Sequence, residues 1–379
     1  MLAAAAHTTA LRALARATPR PLVTGSNRVL LVQPDHLGDI LLSEPAVRYL
    51  RQRLPDIELI AVVGPWSAEI AGMAWPVDRV IEVEFPGFTR AAGRPRRSAP
   101  YELLRREIAR IRKCGADDAV ILRDDAWWAA WLAYGATGRH VVTSRDPRAA
   151  AFATRSVDTP ATRHRTATAM DLAHAYLALR DDSAALAGAW DMSPRMLPAW
   201  ENTATATAPI YTPSHGAPVV VIHPGSGAPV KAWPVRAWRS VAGALDNTHV
   251  VLTGAMSERE LCDEIAHGMP HATVLAGQTS LRQLSSLLAS ATVAVGTDSG
   301  PLHLAGALGT PTVRLFGPSN PRRYGPWPGT AGQVVLTAGW TCPRCEDLSI
   351  ARKPVCGCMA AIEPQLVLRH VRELLADGA

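Results

Sequence analysis

No uninterrupted apolar run among the 379 residues is long enough to cross a bilayer as a helix. The first 27 residues hold no aspartate or glutamate, and they lack the continuous apolar core of a secretory signal. Arg12, Arg16 and Arg20, spread among alanine and threonine, give that stretch (1–27) the composition of an organellar targeting segment. A disordered extension has the same composition and is the preferred expectation, so fold reasoning starts near Arg28. Cysteine is sparse as well: of six, Cys342, Cys345, Cys356 and Cys358 crowd together, while Cys114 and Cys262 stand alone. The first pair has metal-ligand spacing, but Cys-x-Cys for the second is unusual for a zinc ribbon. Reduced packing cysteines are therefore preferred over a structural zinc at those four positions. Disulfides are not expected in a reducing cytoplasm.

What is present describes a globular chain with ample core. Hydrophobic residues make up 48% and charged residues 19%, and the length suggests two domains. The net charge of +6 fits acidic substrates or an anionic surface without establishing either. It is concentrated between Arg90 and Lys113, where nine basic residues face only Glu102 and Glu107. The segment reads as a loop holding Arg94, Arg96 and Arg97, followed by a basic amphipathic helix from Tyr101 to Lys113. An anionic acceptor or a membrane surface would suit it, although a solvated face looks the same. No nucleic-acid-binding module accompanies it, so nucleic acid is not expected. Trp127, Trp128 and Trp131 follow at helical spacing and are assigned to core.

Periodicity gives an α/β chain. Arg28 to Gln33 reads as a strand and Asp39 to Leu54 as a helix, with Ile40, Leu41, Val47, Leu50 and Leu54 on one face. Further strands are expected at Ile57 to Val63, Arg79 to Val83, Ala119 to Leu122 and His140 to Thr143. A segment rich in threonine, alanine and proline, 198–218, is the expected linker. The alternation then resumes, with strands at Val219, His249 to Thr253, Thr273 to Leu275, Val293 to Val295 and Thr312 to Phe316. Helices are expected from Val235, over Glu258 to His267, over Leu281 to Ser290 and over Leu302 to Leu308. The domains expected are 28–197 and 219–362, each a doubly wound sheet, with a terminal helical segment at 363–379. Ligands of such sheets bind at the carboxyl ends of strands.

Two of those strand ends carry unusual residues. After Val219 to Ile222 comes HisProGlySerGlyAlaProValLysAlaTrpPro, 223–234. Gly225, Ser226 and Gly227 allow close backbone approach, and Lys231 adds a compact positive charge. It is not a Walker A loop, which needs Gly-Lys-Ser/Thr directly before its helix. After Val293 to Val295 comes AspSerGlyProLeuHis, 298–303. Free amides at Ser299 and Gly300 would attract an anion, Asp298 suits a ribose hydroxyl or a helix cap, and His303 lies one turn on. Each turn has an ordinary reading as a helix start or a surface lysine; together they suggest a diphosphate cradle. In the first half, Gly38 and Asp39 sit at a strand-to-helix junction.

These blocks, in order, resemble glycosyltransferase family 9, the ADP-heptose:lipopolysaccharide heptosyltransferases. The resemblance runs from about Arg28 to Leu375. It rests on ArgValLeuLeuValGlnProAspHisLeuGlyAspIle at 28–40, HisProGlySerGly with Lys231-Ala-Trp-Pro, LeuThrGly at 252–254, AspSerGlyProLeuHisLeuAla at 298–305 and the C-terminal cysteines. It implies a GT-B fold, two Rossmann-like domains facing a central cleft, with the last helix packing back on the first domain. It also implies an inverting transfer of a heptose or related sugar from an ADP-sugar to a saccharide or glycolipid such as lipopolysaccharide inner core. Asp39 would be the general base and Lys231 would meet the leaving diphosphate, with Ser226, Gly227, Ser299 and Gly300 in the cradle and Asp298 and His303 around ribose and phosphate. Arg94, Arg96 and Arg97 could meet the acceptor. No Asp-x-Asp motif occurs, so a metal-held diphosphate of the GT-A kind is not indicated and no cofactor is expected. Some family members carry an acidic residue just after LeuThrGly that holds ribose hydroxyls; here Met256 occupies about that place, and Glu258, two residues later, is the donor-binding candidate. Two alternatives stay open: a catalytically silent nucleotide-sugar-binding protein, which Met256 would support, and a GT-B nucleotide-sugar epimerase, which would need acid/base groups on both sides of a sugar carbon and no acceptor. The expected location is the cytoplasm, with contact at the inner membrane face.

Overall fold

Two six-stranded sheets, parallel throughout, carry the chain. The computed structural model describes residues 2–88, 98–180, 190–197, 216–339 and 357–377. The chain divides into two units, residues 1–192 and 193–379. The linker segment expected at 198–218 lies outside the described residues except at its last three positions.

In the first unit the chain runs through α1 (Leu2–Ala17), β1 (Arg28–Gln33), α2 (Leu37–Arg53), β2 (Glu58–Val63), α3 (Ala68–Ala74) and β3 (Arg79–Glu82). It continues through α4 (Ala99–Arg112), β4 (Asp118–Ile121), α5 (Trp127–Ala136), β5 (His140–Ser144), β6 (Arg155–Val157) and α6 (Arg165–Ala178). The sheet order is β3-β2-β1-β4-β5-β6. Its central strands are buried on both faces, which is why they read as β-branched and leucine runs rather than as alternation. Trp127 and Trp131 lie in this core, Trp131 fully.

The second unit repeats the plan with β7 (Val219–His223), α7 (Val235–Gly243), β8 (His249–Leu252), α8 (Arg259–Ala266), β9 (Ala272–Val274) and α9 (Leu281–Ser290). Then come β10 (Val293–Thr297), α10 (Gly300–Ala307), β11 (Thr312–Leu315), α11 (Pro321–Tyr324), β12 (Gln333–Leu336), α12 (Gly357–Ala360) and α13 (Pro364–Asp377). The order β12-β11-β10-β7-β8-β9 is the same doubly wound sequence of strands. In each sheet the strand order reverses beside the first strand, between β1 and β4 and between β7 and β10. Ligands of open α/β sheets bind outside the carboxyl ends of such strand pairs. The final helix, expected to pack back on the first domain, buries Val367 and Val371 and packs on α7, β10 and β11 of the second unit.

The expectation of a disordered extension over 1–27 is overturned. Leu2–Ala17 is a helix that buries Leu11 and Ala15 against the first unit's core. The strap behind it is held by hydrogen bonds: Arg20 donates to the carbonyls of Thr137 and Arg139, and the amides of Thr24 and Ser26 donate to Asp117 at 2.9 and 2.7 Å. The strap backbone lies so close to Gly138 that a Cβ there would sit 2.8 Å from Pro21 O. Leucines at 11 and 14 with Ala15 make one apolar face, a spacing that composition alone does not reveal. No helix among the described residues is long and apolar enough to cross a membrane.

Candidate active site

The carboxyl ends of β7 and β10 bring both predicted turns of the second unit together. After β7 the loop Pro224–Ala228 leads into a single 3₁₀ turn, Pro229–Lys231. The indole of Trp233, buried against Trp238, donates to the carbonyl of Ile362 at 3.1 Å and fixes the chain just past the lysine. Lys231 Nζ then reaches Asp298 Oδ2 at 2.7 Å. Asp298 follows β10, and Thr297 Oγ donates to the Gly225 carbonyl at 3.0 Å, pinning one loop to the other.

Asp298 does not cap α10; the N-cap position belongs to Ser299. The second carboxylate oxygen of Asp298 faces His303 Nε2 at 3.3 Å, one turn into the helix. Burial works against the charged form of Asp298, but Lys231 and His303 outweigh it and hold the carboxyl well below the usual carboxylate range. Ser299 Oγ is buried with no hydrogen-bond partner among the described residues. Ser226 is occupied within its own turn, its hydroxyl donating to the Ala228 carbonyl at 2.7 Å. Gly227 lies in the same loop, and Gly300 is the first residue of α10.

Glu258 joins this group, although Met256 occupies the position where an acid was expected. The side chain of Met256 points to solvent. Glu258 closes a 3₁₀ turn after β8, accepts from the Ala255 amide at 2.7 Å, and rests against the backbone of Gly225. A Cβ on Gly225 would lie 2.0 Å from Glu258 Oε1, so glycine is required for that approach. Behind it His223 is buried and paired with Thr253 Oγ at 3.1 Å. Burial pushes its imidazole below the ordinary value, and the Glu258 charge opposes that shift.

Sequence reasoning missed Arg314. Its side chain is 3% exposed, on β11 directly behind His303, with Nη1 3.5 Å from His303 Nδ1. The signal was present: one arginine inside the strand expected over Thr312 to Phe316.

In the first unit the carboxyl ends of β1 and β4 carry a second charged group. Asp39 lies in the first turn of α2, whose N-cap is His36, so it is not the cap itself. Its carboxylate is 30% exposed and lies 3.7 Å from Arg165 Nε. Arg165, buried at the start of α6, also meets Asp124 at 2.7 Å. Arg123 pairs with Asp35 and Asp125. Burial disfavours the charged form of Asp125, but the Arg123 contact lowers its pKa below the ordinary value. Arg165 was also missed; it opens a helix, α6, that was not assigned from sequence. Arg94, Arg96 and Arg97 lie outside the described residues. So do Cys342, Cys345 and Cys356, whereas Cys358 is buried in α12.

The family described as glycosyltransferase family 9 (heptosyltransferase) matches residues 105–353. The chain is 28% identical over 333 residues to lipopolysaccharide heptosyltransferase 1 of Pseudomonas aeruginosa, covering 86% of this chain and 88% of that protein. Among solved structures it is similar to the Escherichia coli ADP-heptose lps heptosyltransferase II, with a TM-score of 0.71 and 22% identity over 92% of this chain and 99% of that one. It is also similar to the E. coli heptosyltransferase WaaC solved with ADP, with a TM-score of 0.66 and 21% identity over 93% and 100%. The fold shared with these structures is GT-B.

Proposed function

The chain belongs to glycosyltransferase family 9 and is a glycosyltransferase, and from that premise we propose that it moves a heptose from ADP-heptose onto a saccharide acceptor of the lipopolysaccharide inner-core type. The relatives' names support the sugar and the acceptor, and the ADP held by a structural neighbour supports the nucleotide. The observation that carries the reading is the Lys231–Asp298–His303 group at the β7/β10 strand ends, beside an unsatisfied Ser299 hydroxyl and the first amides of α10. A lysine and helix amides are what a departing diphosphate needs.

The reaction is a single displacement. The acceptor hydroxyl attacks the anomeric carbon, the new carbon–oxygen bond forms as the bond to the diphosphate breaks, and the configuration inverts. Asp39 takes the hydroxyl proton, and Arg165 beside it orients the carboxylate. The bonding pair leaves on a phosphate oxygen, whose charge Lys231 and the amides of Ser299 and Gly300 offset without a metal ion. Glu258 meets the ribose hydroxyls, and Asp298 and His303 order the diphosphate side. The acceptor's anionic groups meet the basic segment that includes Arg94, Arg96 and Arg97, and the enzyme works at the cytoplasmic face of the inner membrane.

A silent binding protein drew its support from Met256, and the placement of Glu258 against Gly225 weakens that support. The test is release of ADP from ADP-heptose with a panel of core saccharides and glycolipids. Acceptor-dependent release supports transfer, whereas tight ADP-heptose binding with no release under any acceptor sinks it.

A further inference from the structure

We infer that Arg314 is a positioning residue: acting through His303, it compensates the Asp298 carboxylate from the side away from Lys231, leaving the Lys231 ammonium able to turn toward a diphosphate. The inference deepens the donor reading above and rests on it for the identity of the anion.

The guanidinium has three sets of contacts. Arg314 Nε donates to Thr312 Oγ at 2.9 Å, Nη2 donates to Gln333 Oε1 at 2.6 Å, and Nη1 faces His303 Nδ1 at 3.5 Å. Gln333 is itself fixed, accepting from Thr312 Oγ at 2.8 Å and donating to the Thr310 carbonyl at 2.9 Å. None of these partners is a carboxylate. A buried cation without one is unfavourable, and the charge that acts on Arg314 is that of Asp298, one imidazole away. Helix α10 also gives way for this side chain: a Cβ on Gly306 would lie 2.1 Å from Arg314 Nη2 and 2.9 Å from Gln333 Oε1.

Arginine can only donate hydrogen bonds. His303 Nδ1, which faces it, is therefore the acceptor nitrogen, and the ring proton sits on Nε2, directed at Asp298 Oδ1. A proton on Nδ1 would point at a guanidinium, so the contact selects the tautomer with its proton on Nε2. Asp298 is thus served from two sides, by Lys231 at Oδ2 and by the His303 N–H backed by Arg314 at Oδ1. If Lys231 were its sole compensation, moving the ammonium to a phosphate would strand a buried anion. With Arg314 behind His303, Asp298 remains compensated when Lys231 leaves.

A purely structural Arg314, tying β11 to β12, makes different predictions. In the ligand-free full-length protein, nitrogen-15 NMR of the imidazoles should show the His303 ring proton on Nε2. Arg314→Met removes the donor that faces Nδ1, so the His303 Nδ1 resonance should move from its wild-type position. Arg314→Lys should restore most of the wild-type position. Gly306→Ala, which displaces the guanidinium without deleting it, should move the resonance in the same direction and serves if Arg314→Met does not fold. By calorimetry, Arg314→Met should weaken ADP and inorganic pyrophosphate about tenfold or more and leave adenosine unchanged. An unmoved His303 Nδ1 resonance in both variants overturns the inference, as does an equal loss for ADP and adenosine. A wild-type protein that binds neither ADP nor pyrophosphate overturns the donor reading instead, together with the diphosphate half of the inference.

Discussion

The Lys231 ammonium and the Asp298 carboxylate meet at 2.7 Å across two separate strand ends, with 18% and 7% of their side chains exposed. Breaking so buried a pair leaves one charge without its partner. Asp298→Asn is expected to cost about 3 kcal/mol of stability, read as a lower urea midpoint with an unchanged slope. Lys231→Met should lower kcat about 10²- to 10³-fold, the usual loss when one preorganised donor to a developing charge is removed. Steady-state kinetics of ADP release would check it, and a kcat near wild type would remove Lys231 from the leaving-group role.

Asp39 presents a different balance. Its carboxylate is partly exposed and shares Arg165 with Asp124, so the arginine orients the carboxylate without sealing it. Asp39→Asn keeps the shape and removes the proton acceptor. The expected loss in kcat is about 10²- to 10⁴-fold, while ADP-heptose affinity stays within about twofold because the donor contacts proposed above are all in the second unit. Equal losses in kcat and donor affinity would instead assign Asp39 to binding.

Gly225 and Glu258 should behave as a coupled pair. A methyl at Gly225 would meet the Glu258 carboxylate at 2.0 Å, so Gly225→Ala must displace either the loop or the carboxylate. It is expected to raise the donor KM and to destabilise by about 1–3 kcal/mol, the range for overpacking. Glu258→Ala alone should weaken ADP binding. The double variant should recover most of the lost stability but not the affinity, and thermal melts of all four proteins would give the interaction energy.

The sheets and the second-unit site were legible because their signals are local. Apolar runs bounded by Gly, Ser and Pro marked nearly every strand that flanks a site, and the turns carrying Lys231 and Asp298 announced themselves by glycine and proline. Three things were not. Arg165 and Arg314 act through buried contacts with residues distant in sequence, and an arginine reads as surface until a carboxylate, an imidazole or a glycine gap is seen to receive it. Glu258 was named as donor-binding, but that it rather than Met256 approaches Gly225 is decided by register within a single 3₁₀ turn. The N-terminal helix was hidden by alanine-rich composition, since two leucines and an alanine carry its packing face.

That helix supplies a stability prediction. Leu11 is 2% exposed and Trp131 donates to Thr18 at 2.9 Å, so α1 and its strap are part of the first unit's core. Leu11→Ala is expected to cost about 2–4 kcal/mol, as for other buried leucines. Asp117→Ala, which frees the amides of Thr24 and Ser26, should cost about 1–3 kcal/mol. Hydrogen exchange over residues 11–26 should accelerate in both variants, and unchanged exchange would show that the segment is not docked in solution.

His223 makes the second unit sensitive to mild acid, and the sign follows from its environment. Burial lowers its pKa below the ordinary value and the Glu258 charge only partly opposes this. In the unfolded chain the ring titrates near 6.5, so between that pH and the lower folded value the unfolded state binds more protons. Stability is therefore fully present above about pH 6.5 and falls as pH drops toward the folded pKa, by at most about 1.4 kcal/mol per pH unit from this one group. Asp298 does not contribute to that decline: its folded pKa is depressed, so its contribution is present above about pH 4, the unfolded carboxylate range, and is lost only as pH falls through the still lower folded value. His223→Gln, which can still bond Thr253, should flatten the dependence of the melting temperature on pH as pH falls below about 6.5 and leave the loss in the carboxylate range, below about pH 4, in place. If the variant and the wild type decline in parallel over that window, the mild-acid sensitivity belongs to another group.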